Sequence, residues 1–295
     1  MTVSGPFSHP AGDQRLTDDE IDRLLRTHDI ISLGMMADEA RRRRHGLMTT
    51  FVRVVDVTVD AARQAADVAA GEVRLLGSPA TRAEATKRVH AAVEWAGGAP
   101  VSGFSLADLE QLAAVEHVTL RSLLEELHAT GLELVAEAPI DRLRDPRRSI
   151  EEVNIAGLGL ARLTLQQGVP MAGGALFKKV AELQRAVGVI RAFAPLPRTL
   201  NPALPTTGFE DVMSVALARL VVDNVRSIQV DWALYGPKLA QVALTVGADD
   251  IDGVSAEFDT SVGVRRGPLE EIRRSIRACG QEPLERNGRF EPITR

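Results

Sequence analysis

The chain has little cysteine and no excess of positive charge. Among 295 residues there is one cysteine, Cys279, which excludes intramolecular disulfides and any zinc or iron–sulfur site built from this chain's own thiolates. Lys and Arg number 35 against 40 Asp and Glu, a formal charge of −5, so the net basic face that holds nucleic acid is not expected. The sequence contains no apolar run of the roughly 18–20 residues needed to span a bilayer. Its first residues, MTVSGPFSHPAGDQ, lack the basic and apolar regions of a secretory signal. A cytoplasmic protein with no membrane or nucleic-acid partner is the expectation. GxGxxG, Walker A, HExxH and GxSxG patterns are also missing, which removes the usual dinucleotide, NTP, zincin and α/β-hydrolase readings. The six histidines show no ligand spacing, and no metal site is expected.

What is present is the material of a large α/β core, 45% apolar and 25% charged, in one domain. Residues 1–16 read as a disordered leader and 17–295 as a single domain. Order begins with a capping box, Thr17 to Glu20, and a second helix follows from Asp29 to Arg44. The run Arg41–Arg44 reads as the last turn of that helix, where cations meet the negative dipole end. Strands are expected at Thr50–Val57, Leu132–Ala138, Met171–Leu176, Val189–Phe193, 227–234 and Ile251–Phe258. Helices are expected after Thr119, over 237–246, and between Pro268 and Gly280. The region 58–115 offers helices at 58–70, near 81–96 and after Ser105, and few strands. Strand–helix alternation with short connections implies a mainly parallel sheet, either a barrel or an open doubly wound sheet.

Residues 206–258 read TTGFEDVMSVALARLVVDNVRSIQVDWALYGPKLAQVALTVGADDIDGVSAEF. The ARLxxDN segment, GPKLAQVAL and GADDIDG, in this order and spacing, resemble the futalosine-pathway radical SAM family of menaquinone biosynthesis. That family comprises aminofutalosine synthase, dehypoxanthine futalosine cyclase and the related deazaflavin-cofactor synthase subunit. ADEARRRRHG followed by TFV, LLEELHATGLE, and the ending PLERNGRFEPI are similar to it as well. The resemblance implies a partial or complete (β/α) TIM-type barrel with an N-terminal helical extension. Because early strands are hard to find, its N-terminal part is expected to be eroded.

The sequence departs from the family where the cofactor should sit. After its first strand the family carries CxxxCxxC, thiolates that hold three irons of a 4Fe–4S cluster and leave the fourth to S-adenosylmethionine. Here Arg63, Asp67 and Ala70 stand at those positions, and Glu137, Ala138 and Pro139 replace a glycine-rich strand end. Neither the cluster nor S-adenosylmethionine is expected to bind.

Candidate ligand-binding residues are Tyr235 and Gly236, just after the carboxyl end of a strand, where barrels place their sites. Arg219 and Asp223, four apart on one helix, either form an i,i+4 pair or contact a ligand. Glu137 and Asp141 are acid/base candidates near the expected cofactor mouth. Asp249, Asp250 and Asp252 read as polar turn residues between a helix and a strand. The functional expectation is a degenerate relative of aminofutalosine synthase that binds a nucleoside-like pathway metabolite without radical chemistry. The alternatives are a non-catalytic subunit, paired with an active homologue or with itself, and an enzyme of unknown reaction on the same scaffold.

Overall fold

A computed structural model describes residues 16–58, 69–167, 174–199, 207–257 and 268–293. Two helices lead in, α1 (Asp18–Arg26) and α2 (Ile30–His45). The capping box is present: Glu20 N donates to Thr17 Oγ1 at 3.3 Å, and Thr17 N donates to Glu20 Oε2 at 2.7 Å. Then come β1 (Met48–Val57), β2 (Glu72–Leu75), α3 (Arg82–Trp95), β3 (Val101–Ser105), α4 (Leu106–Val115), α5 (Leu120–Thr130) and β4 (Leu134–Pro139). The second half runs α6 (Pro146–Ile155), β5 (Gly159–Leu160), β6 (Leu163–Leu165), α7 (Gly174–Val187), β7 (Ala192–Pro197), α8 (Gly208–Val221), β8 (Ser227–Asp231), α9 (Trp232–Thr245), β9 (Asp250–Ser255), α10 (Pro268–Ala278) and β10 (Glu282–Arg286).

The strands pair in the order β1-β2-β3-β4-β6-β7-β8-β9, every pair parallel, and β9 returns to β1. Eight strands therefore close into a TIM-type barrel, with β5 continuing the line of β6 along β4. The expected N-terminal erosion is not found. β2 and β3 are short but present, and they complete the wall between β1 and β4.

Period-2 patterning explains the two faces of that wall. Phe51, Val55, Val73, Leu75, Val135, Leu163, Leu165, Ile228, Val230 and Ile251 join the apolar layer under the helices. The alternate residues face the lumen. Expected strand 227–234 stops at Asp231, whose Oδ1 accepts from Leu234 N at 2.9 Å and starts α9, so Trp232 and Leu234 are helical. Of the expected strand Met171–Leu176, residues 171–173 lie outside the described residues, and Gly174–Leu176 open α7 instead. Most of the expected helix 58–70 and nearly all of the expected leader lie outside them too.

β10 has no counterpart among the expected strands. It pairs with the first half of β1, Met48–Val52, while β2 pairs with the second half, Val54–Val57, so the two share one edge of β1 end to end. Gly71 sits at their junction. A Cβ there would stand 2.7 Å from Arg286 O, so only glycine lets the chain ends meet.

Candidate functional site

TIM barrels normally fill their lumen with stacked branched apolar side chains. This lumen is ionic. At its lower end, where the strands begin, Asp250 accepts from Arg286 Nε and Nη2 at 2.7 and 2.6 Å, from Gln229 Nε2 at 2.6 Å and from Thr50 Oγ1 at 2.5 Å. Halfway up, Arg74 donates to Glu72 at 2.9 Å and to both oxygens of Asp252 at 2.8 and 3.1 Å. Ser102 donates to Glu72 at 2.5 Å, and Arg162 donates a further bond to Asp252. Burial works against the Asp252 anion, but Arg162 and Arg74 prevail and hold its carboxyl far below the usual range. Breaking such a pair leaves a buried charge uncompensated, at a cost of about 3–5 kcal/mol.

The upper end is paired less completely. Register places Ser105 of β3 directly beside Glu137 of β4, and Ala138 beside Leu163, so Ser105, Glu137 and Arg162 form a row across three adjacent wall segments. Each carries a buried polar atom without a hydrogen-bond partner: Ser105 Oγ, Glu137 Oε2 and Arg162 Nε. Thr164 Oγ1, one step higher on β6, is likewise unpartnered, and Thr164 is fully buried. Unsatisfied buried groups of this kind cost about 1–3 kcal/mol each.

Phe104 explains how the row is formed. Its φ of 61° is a left-handed conformation rare for a bulky residue, and it interrupts the alternation of β3. Gly103 and Phe104 both turn away from the lumen, and Ser105 turns back to the face of Glu137. Ser105 is the N-cap residue of α4, yet its hydroxyl makes no cap bond. It remains free for something else.

Arg198, just after β7, spans the mouth. Its Nε lies 3.1 Å from Glu137 Oε2, an ion pair without hydrogen-bond geometry, and its Nη1 donates to Asp231 Oδ2 at 2.5 Å. Asp56, at the end of β1, still reaches solvent. Crowding by the wall nevertheless raises its carboxyl above the usual range, because desolvation outweighs the pull of Arg74.

Of the sequence candidates, Glu137 belongs to this site and Tyr235 borders it. Tyr235 donates its hydroxyl to Pro197 O at 2.5 Å, tying α9 to the end of β7, and burial pushes its phenol up. Gly236 supplies the break in α9, with φ 72° and ψ 171°. Asp141 is exposed beside the mouth, and its carboxylate accepts from Gln166 N and Gln167 N at 2.8 and 2.9 Å, fixing the turn after β6.

Arg219 and Asp223 are not at the mouth. Arg219 is buried at the lower end, donating to Gly247 O at 2.7 Å and to Asp249, and Asp223 lies in the turn between α8 and β8 with its carbonyl accepting from Arg44. The run of arginines is likewise structural: Arg41 is buried against Asp38, and Arg44 also donates to Val225 O at 2.9 Å. Asp252 is no turn residue but a lumen side chain on β9. Ser105, Arg162, Thr164, Arg198 and Asp56 escaped the sequence reading.

The donors a 4Fe–4S cluster needs are not at this mouth. Cys279 lies between α10 and β10, at the lower end, with Sγ 3.3 Å from Ser275 O and 3.5 Å from Gln241 O. Burial pushes its thiol up, away from the thiolate form a cluster requires. Arg63 and Asp67 lie outside the described residues, and Ala70 just precedes β2. Among the described residues no group of three or more His, Cys, Asp and Glu is arranged to hold a metal ion, and no helix is long and apolar enough to cross a membrane. A cavity of about 480 Å³ opens at the lower end, between α6 and the turn after β10, but the ionic groups lining it are engaged: Arg289 bonds Glu133 at 2.6 and 2.7 Å, Arg191 donates to Arg289 O at 2.6 Å, and Glu291 accepts from Asn287 Nδ2 at 2.8 Å.

Residues 197–295 match the CofH/MqnC C-terminal region. Cyclic dehypoxanthine futalosine synthase of Streptomyces coelicolor is 26% identical over 218 residues, 65% of this chain and 55% of that protein. Aminodeoxyfutalosine synthase of Thermus thermophilus is 26% identical over 231 residues, 66% of this chain and 61% of that protein. The chain thus spans little more than half the length of these relatives. Methylornithine synthase (PylB) superposes with a TM-score of 0.65 at 13% identity, covering 92% of this chain and 95% of that one. The FeFe-hydrogenase maturase HydG from Carboxydothermus hydrogenoformans follows at 0.60 and 11%, covering 92% and 76%. These two likenesses concern the fold alone. On a closed parallel barrel, the C-terminal third of the chain thus matches the CofH/MqnC C-terminal region, and the chain is similar to futalosine-pathway and deazaflavin-cofactor proteins.

Proposed function

We propose that this barrel keeps the frame of its family without cluster-based radical chemistry, and that it binds a nucleoside-like metabolite of the menaquinone pathway at its upper mouth. One observation carries the reading. The lumen holds a row of buried polar atoms with free hydrogen-bonding capacity in a chain whose single thiol stands at the opposite end. Buried polar groups are retained unpaired where something else completes them. In this reading Arg198, pinned by Asp231, holds Glu137 toward the lumen, while Ser105 and Thr164 supply hydroxyls and Arg162 a donor.

The test is anaerobic purification followed by iron and sulfide addition. Iron and sulfide should stay far below cluster stoichiometry, and no 5′-deoxyadenosine should form from S-adenosylmethionine. Adenosine or inosine should raise the melting temperature, since a ligand that binds only the folded state stabilises it logarithmically with concentration. A stoichiometric cluster that cleaves S-adenosylmethionine overturns the reading.

A second reading, an interaction subunit, has one observation in its favour. Ile31 and Met35, one turn apart on α2, are 73% and 70% exposed. Monomeric behaviour, both alone and mixed with an intact family member, removes it.

A further inference from the structure

We infer that the cavity at the lower end is a second binding site, open to a small uncharged cyclic amide. It lies in the barrel wall at the end opposite the mouth, none of the side chains of the ionic column lines it, and it does not depend on what the mouth binds.

The wall itself is parted here. Gly159 N and Ala161 N donate to Glu133 O and Val135 O at 2.9 and 3.0 Å, both toward β4. Successive residues of a strand turn their backbone groups to opposite edges, so Leu160, between them, directs its N–H and C=O away from β4. That edge should meet the lead into β7, but β6 takes up pairing with β7 only from Leu163 and Phe193. Among the described residues neither backbone group of Leu160 has a hydrogen-bond partner, although Leu160 is buried and lines the cavity. Across the gap the need has been met: Gln184 of α7 accepts from Ile190 N at 2.9 Å and donates to Ile190 O at 3.0 Å. A buried donor and acceptor left open on the other flank cost about as much as a lost hydrogen bond unless something completes them.

The surroundings define the complement. Two carboxylates, Glu133 and Glu291, balance two guanidiniums, Arg191 and Arg289, in the lining, which favours a ligand without charge. Val153, Leu158, Val189 and Phe290 supply apolar walls. Phe290 is held there in a left-handed conformation, φ 63°, with the Arg286 guanidinium 3.8 Å from its ring centroid, and strain of that kind in a bulky residue clusters at ligand sites. One residue of an extended peptide could pair with Leu160, but the open edge is a single residue long, and one such pair does not repay the ordering of a strand. A lone trans amide sends its N–H and C=O to opposite sides. An amide closed in a ring holds both on one edge, its carbonyl facing Leu160 N–H and its N–H facing Leu160 O. At about 480 Å³ the cavity is of small-ligand size.

Ligand-observed NMR titration of the full chain with δ-valerolactam tests the inference, against δ-valerolactone and N-methyl-δ-valerolactam, neither of which has an N–H. The lactam should saturate with a Kd of millimolar order, as expected for a ligand of so few atoms. Both analogues should bind at least about fivefold more weakly, the loss of one hydrogen bond. Val189→Trp and Asn154→Trp, at a half-buried and an exposed position of the lining, narrow the cavity and should each weaken lactam binding by at least about fivefold. Adenosine, the probe of the upper mouth, should not displace the lactam. No saturation by about 50 mM leaves the gap to water and overturns the inference. A smaller penalty for either analogue overturns the amide edge. Undiminished binding in a variant that folds, or displacement by adenosine, puts the lactam elsewhere and overturns the site. Lactam binding without any adenosine binding supports this site while overturning the ligand part of the proposed function.

Discussion

The two ends of the lumen use the same residue types to different effect. Asp250, at the lower end, accepts hydrogen bonds from three side chains, one of them the doubly donating Arg286 that anchors β10. Glu137, at the upper end, has a single ion-pair partner and an oxygen without a hydrogen bond. The lower end is the more fully paired, although Gln229 Oε1 there also lacks a hydrogen bond. The upper end is left incomplete along a row whose geometry is nonetheless fixed by strand register. Stability and readiness to bind have been assigned to opposite ends of one ionic column.

The largest effect should come from the lower end. Asp250→Ala strands Arg286 in the interior and should cost about 3–5 kcal/mol by denaturant unfolding. If it costs no more than Glu137→Ala, the contrast between the ends fails.

Acid titration should separate two carboxylates of opposite behaviour. Asp252 has a depressed folded value, so its contribution to stability is complete above the unfolded value of about 3.9 and is lost as pH falls toward the folded one. The stability gap between the native protein and Asp252→Asn should therefore narrow as the solution is acidified below about pH 4. Asp56 has a raised folded value, so its contribution is present below the unfolded value and is lost as pH rises through the folded one. Asp56→Asn should be slightly stabilising at neutral pH and indifferent in acid. The same sign for both substitutions across the pH range would show that solvent reaches the two sites alike.

Smaller still is the apo effect of Thr164→Val, a gain of up to about 1 kcal/mol in unfolding free energy. A clear loss would mean that Thr164 is already paired in the ligand-free protein.

The sequence revealed much of the frame and little of the column. Capped helices were legible because their signals are local: Thr17 with Glu20, Thr119 with Gly131, Pro268 with Gly280. The short strands were not. β2 reads EVRL and β6 reads LTL; both alternate with period 2, but over so few residues that the pattern is weak, and a lumen made of Glu, Arg and Thr resembles surface. Closure of the barrel was hidden for the same reason. Glu137, Tyr235 and Gly236 could be found because they follow the rule that strand ends carry sites. Arg219 and Asp223 misled because a matching motif says where a chain resembles its relatives, and here the arginine braces the floor. Nothing local marks Ser105 as a lumen residue, since the turn of Phe104 that aims it is a matter of φ and not of composition.

The shared edge of β1 has a consequence for how the molecule is made. β1 must wait for both β9 and β10, whose register partners lie some 200 residues and more further along: Thr50 meets Asp250, and Met48 meets Glu282. At translation speeds of roughly 5–20 residues per second, β1 leaves the ribosome roughly 10–45 s before its last neighbour exists. Until then an apolar strand has one flank bare and only the second half of the other covered, by β2. Such distant pairing slows folding and exposes the nascent chain to wrong partners. Among the described residues, the capped helices α1 and α2, which form locally just ahead of β1, are the native structure upstream of it while the rest of the wall is being synthesised.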